Sequence, residues 1–176
     1  MFKIKIVMVA AFSVLFMSLH ASAGADKFTI ETAFSEMLKS SDYSTKVTAI
    51  VMIADFKETA LANDLVKLLK KASGIERCAV LYSLSILQRE EYLDAFIDSV
   101  PTDEKSIKEL LDIESPRGSY FKAPYLRIIN YLGYIAIHND KAFSRLKAID
   151  LYADGWQGDS VMELIIAAEK LRIDKN

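Results

Sequence analysis

The chain has one cysteine, Cys78, so no disulfide can close within it. Histidine is almost as scarce. His20 lies in the apolar N-terminal stretch and His138 stands alone in the remainder, which excludes histidine-pair metal sites and leaves any Ser/His/Asp or Cys/His system a single imidazole. No G-x-S-x-G elbow accompanies it, and neither G-x-x-x-x-G-K-[ST] nor G-x-G-x-x-G occurs, so loops that cradle phosphates are missing. Basic charge is in no excess: 22 Lys and Arg stand against 24 Asp and Glu. A nucleic-acid footprint is therefore excluded. No run alternates apolar and polar residues between turn signals, as a sheet would require.

The N-terminus has a definite layout. Lys3 and Lys5 precede an apolar run from Ile6 to Leu19, and Ala21-Ser22-Ala23 follows. These are the three parts of a secretory signal peptide, and the apolar run is short for a membrane helix, which needs about 20 residues. Cleavage is expected after Ala23. Residues 1–23 are then a signal peptide and 24–176 one domain, exported to the periplasm or secreted, with no stable membrane insertion. Loss of Lys3 and Lys5 takes the net charge from −2 to −4.

Apolar residues recur at helical spacing along the rest. Ile30, Phe34, Met37 and Leu38 mark a helix over about 29–39; Val47, Ile50, Val51 and Ala54 mark the next. A third is expected from Glu58 to Lys71, with Leu61, Leu65, Leu68 and Leu69 on one stripe. Ser73 and Glu76 form a capping box for a fourth, through Gln88, which is apolar around most of its circumference and so buried. Cys78 lies on it, as a small buried hydrophobe. The fifth, Glu90 to Val100, is two-faced, and Pro101 ends it. A short helix over about 103–111, a long one over 124–137, another over 140–152 with Asn139 as N-cap, and a last one opened by a Ser160/Glu163 capping box complete the chain.

Short connections make neighbouring helices antiparallel. The fold class is all-α, with helical hairpins stacked as a short α-α superhelix or, alternatively, gathered in an irregular bundle. "TKVTAIVMIADFKETALANDLVKLL" and "IERCAVLYSLSILQREEYLDAFIDSV" overlay with Ala49 on Ala79, and "YLRIINYLGYIAIHNDKAFSRLKAI" supplies a third copy. Each has a first helix with a small central residue, a short turn and a second helix with spaced leucines. In this the chain resembles HEAT or armadillo helical repeats over residues 44–152. Its spacing is shorter, with Ala49 and Ala79 only 30 residues apart against about 40–47 in those families.

The pattern breaks at "ESPRGSYFKAPYLR", Glu114 to Arg127, which holds two of the three prolines. Arg117, Tyr120, Phe121 and Lys122 lie inside it. Aromatic and arginine side chains in a long loop are those that dominate interface hot spots, so these four are candidate partner-binding residues; the alternative is that Tyr120 and Phe121 fold back over the core. Trp156, between Gly155 and Gly158, poses the same choice between packing on the last helix and contacting a partner. Glu91, Asp94 and Asp98 share a helix face and are either a solvated ridge or a steering surface for a cationic partner. His138 sits where a histidine interacts with the last carbonyls of a helix.

No catalytic set, cofactor site or metal site is evident. The expected function is an exported, non-catalytic protein-binding module of the cell envelope, in an inhibitor, immunity-type or adaptor role. Two other readings stand beside it: an envelope enzyme using carboxylates such as Glu91 and Asp94, and a structural protein that assembles with its own copies.

Overall fold

The computed structural model describes residues 29–88, 90–113 and 124–173. The described residues form helices joined by short turns, with no strand among them. α1 runs Ile30–Leu38, α2 Tyr43–Asp55, α3 Ala62–Leu69, α4 Gly74–Gln88 and α5 Glu90–Ser99. α6 follows at Glu104–Leu111, α7 at Pro124–Ala136, α8 at Asp140–Asp150 and α9 at Gly155–Ile173. The all-helical class expected from periodicity is what is found.

Local chemistry fixes four of the described helix starts. Thr29, Asp42, Asp103 and Asn139 are N-caps whose side-chain oxygens accept from the backbone N–H three residues on, leaving fewer orphan donors in the first turn. Asn139 is the cap expected for α8, with Oδ1 2.9 Å from the Ala142 nitrogen.

Two starts differ from expectation. The helix expected over 58–71 opens instead as a 3-10 turn, Thr59–Leu61, before α3 begins. The cause lies upstream: Lys57 takes a left-handed φ of 55° and Glu58 donates back to the Ile53 carbonyl, closing α2 and forcing a fresh start. The last helix begins at Gly155, ahead of Ser160, and the Ser160 hydroxyl donates to the Trp156 carbonyl from within it. Ser160 is therefore not an N-cap. The Asp154 carbonyl takes the first bonds, from Gln157 and Gly158. Gly158 is required there for space, because a Cβ would come 2.8 Å from the Ala153 carbonyl oxygen.

α4 is the centre of the packing. It lies against α2, α3, α5 and α6, and residues 78–85 are all buried. Its two buried serines are satisfied, Ser83 donating to the Ile50 carbonyl across the α2 contact and Ser85 to Tyr82 of its own helix. Ala49 and Ala79, the small residues aligned between the first two repeat copies, are both wholly buried on α2 and α4. α7, α8 and α9 pack on one another, and contacts of α2 with α7 and of α5 with α8 join them to the first half. Tyr82, Phe96 and Tyr131 meet across that junction with ring centroids 5.5–6.0 Å apart. Among the described residues no helix is long and apolar enough to cross a membrane.

Candidate functional site

Arg117, Tyr120, Phe121 and Lys122 lie outside the described residues. The structure places the other four candidates in two separate regions.

On α5, Glu91, Asp94 and Asp98 are all exposed, as a shared helix face predicts. They are not equivalent. Asp98 pairs with Lys141 and lies 3.8 Å from Arg145 Nη2, both from α8. Its charge is spent on a tie between helices, which leaves Glu91 and Asp94 as the solvent-facing carboxylates of the three. Distance in sequence hid this pairing, since nothing local to α5 signals a cationic neighbour 43 residues on.

Trp156 stands in the first turn of α9. It is 61 % exposed, and its ring lies 6.0 Å from that of buried Tyr125 on α7, tilted by 48°. Beside it, Gln157 Nε2 donates to the Leu111 carbonyl at 3.1 Å. The pair therefore touches both the end of α6 and the start of α7, the two helices on either side of residues 114–123. Trp156 is thus both accessible to solvent and in ring contact with Tyr125.

A third cluster was not apparent in the sequence. Asp55, the last residue of α2, receives the Arg127 Nε of α7 at 3.1 Å and the Tyr82 hydroxyl of α4 at 3.4 Å. Burial raises the Asp55 carboxyl above its ordinary value despite Arg127 and Tyr82, which pull it down. Burial, with the Asp55 charge beside it, also raises the Tyr82 phenol. The three groups tie α2, α4 and α7 at a point where only long-range packing could unite them.

Comparison of the chain with family models, with curated proteins and with solved structures finds no match.

Other reactive groups are held quiet by their surroundings. Cys78 is completely buried, and burial pushes its thiol up to about 12. Tyr43 borders an open depression of about 520 Å³ between the start of α2 and α6, with Lys105, Lys108, Glu109 and Asp112 around it. Burial, then the Glu109 and Glu76 charges, pushes its phenol up to about 12, so it stays protonated near neutral pH. Among the described residues no three His, Cys, Asp or Glu side chains gather in a way that could hold a metal ion. At His138 the backbone N–H bonds the Ile135 carbonyl at the end of α7.

Proposed function

We propose that this chain is an exported, non-catalytic protein-binding module of the cell envelope, acting as an inhibitor, immunity-type or adaptor protein, with its hairpins stacked as a short HEAT-like superhelix. The observation that carries the reading is the accessible Trp156, held against Tyr125 where α6, α7 and α9 converge. An aromatic already fixed by its neighbours loses little conformational freedom on binding, and tryptophan heads the residues that act as interface anchors. Two packed hairpins, α4–α5 and α7–α8, support the stacked arrangement, which would present an extended surface, while α2 and α3 each pack on α4. The N-terminal Lys3 and Lys5, the apolar run and Ala21-Ser22-Ala23 support export.

The carboxylate-enzyme reading needs acid groups gathered in a cleft with shifted acidity. Glu91 and Asp94 are exposed on a helix face and Asp98 serves a structural pair, so they lend it no support.

The test is quantitative capture of envelope proteins by immobilised wild type and by Trp156→Ala. The variant is expected to lose about tenfold or more in apparent affinity for the captured partner, with a Tm within a few degrees of wild type. Saturable capture that survives the substitution unchanged, or no saturable capture by wild type, would overturn the reading.

A further inference from the structure

α9 is apolar on more of its surface than the fold covers. Val161, Ile165 and Ala168 are buried, on the side packed against α7 and α8. Met162, Ile166 and Ile173 are exposed at 44, 57 and 72 %. With about 100° of turn per residue, Met162 and Ile173 lie within about 40° of Ile166 on one side, and Glu163 and Lys170 within about 60° on the other. The uncovered strip thus has an isoleucine along its middle, an apolar edge, and an edge carrying Glu163 and Lys170, with exposed Asp159 about 20° from Ile166 at its amino-terminal end. Glu169, flanking the apolar edge, is drawn aside to Lys147 at 3.2 Å.

We propose that α9 pairs antiparallel with α9 of a second copy of this chain, about a two-fold axis passing between Ile166 and Ala167. A two-fold contact requires one patch to be complementary to itself. The central turns of this strip, from Glu163 to Lys170, meet that condition. Glu163 and Lys170 are each 3.5 positions from the axis, so the acid of one copy lies level with the base of the other, twice, about 5 Å either side of the centre. Rotation about the axis keeps each edge facing its own counterpart. Ile166 therefore meets its equivalent at the centre, and Met162 comes level with Ile173 of the second copy to within about 3 Å along the helix. Glu163 and Lys170 are matched along one edge and apolar area is buried along the other, with Asp159 about 11 Å from the axis near the rim of the contact. A foreign helix would need no such relation between positions before and after the midpoint. Trp156 lies beyond the paired segment, so this contact is separate from the surface proposed above.

Sedimentation equilibrium of the purified protein over a wide concentration range tests the pairing. The expected result is a reversible dimer that Ile166→Glu converts to monomer. Glu163→Lys and Lys170→Glu singly place like charges opposite each other and should each weaken the dimer about tenfold. The double variant exchanges the two charges and should restore it to within about threefold of wild type, an outcome that general surface damage would not produce. Circular dichroism melts establish that each variant is folded, and the charge exchange decides the matter if Ile166→Glu is not. Trp156→Ala should leave the dimer unchanged, which separates this result from partner capture. A protein monomeric at every concentration, a dimer indifferent to Ile166→Glu, or a double variant no stronger than the single ones would overturn the proposal.

Discussion

Asp55 shows how one side chain couples the fold to pH. Three helices converge on its carboxylate, and the loss of water there outweighs the attraction of Arg127 and the hydrogen bond from Tyr82, so its folded pKa lies above the ordinary 3.8. A carboxyl whose folded pKa is raised binds its proton more tightly in the native state than in the unfolded one. Its contribution to stability is fully present below pH 3.8, declines as pH rises through the folded pKa, and is flat above that. Asp55→Asn should remove this component: in urea unfolding at a series of pH values, wild type loses stability relative to the variant across that window and the difference then levels off. A constant difference from acid to neutral pH would show that the folded carboxyl titrates as it does in the unfolded chain. Nothing near Asp55 in sequence announces this cluster, because Tyr82 and Arg127 are 27 and 72 residues away. Asp98 with Lys141 is the same case. Side chains that act through distant partners are decided by packing, which periodicity does not encode.

At the scale of the helix, what could be read was what local chemistry controls. Asn139 starts α8 because its side chain fits the N-cap, and α4 is legible as buried because apolar groups run round it. The sequence misplaces the start of α9 because two glycines and an S-x-x-E pattern look like a turn followed by a capping box. Only Gly155 serves the turn, with its left-handed φ of 54°. Gly158 is helical and is there because the Ala153 carbonyl passes close over it. Alanine normally favours a helix over glycine by about 1 kcal/mol, yet at this site the backbone would have to move to admit the methyl group. Gly158→Ala should therefore destabilise by about 1–2 kcal/mol in chemical denaturation. A gain in stability would mean that the turn before α9 yields readily.

For the molecule as a whole, the buried side chains make one connected cluster that runs from Phe34 on α1 to Ala168 on α9, with Cys78 inside it. A thiol that deep reports on the whole structure. Under native conditions Cys78 is expected to resist a thiol reagent, and with rising denaturant its labelling should follow the same midpoint as the loss of helical circular dichroism. Labelling well before that midpoint would reveal that α4 separates from its neighbours on its own.

α1 meets α2, α3 meets α4, α4 meets α5, α7 meets α8 and α8 meets α9, so most packing joins helices adjacent in sequence. Such contacts close small loops, cost little entropy to find, and favour rapid folding. A chain delivered amino end first can set each hairpin as it arrives. The meeting of α2 with α7, clasped by Asp55 and Arg127, has to wait for the later helices, which makes that clasp a late event and its removal a change felt in how fast the protein unfolds more than in how fast it folds.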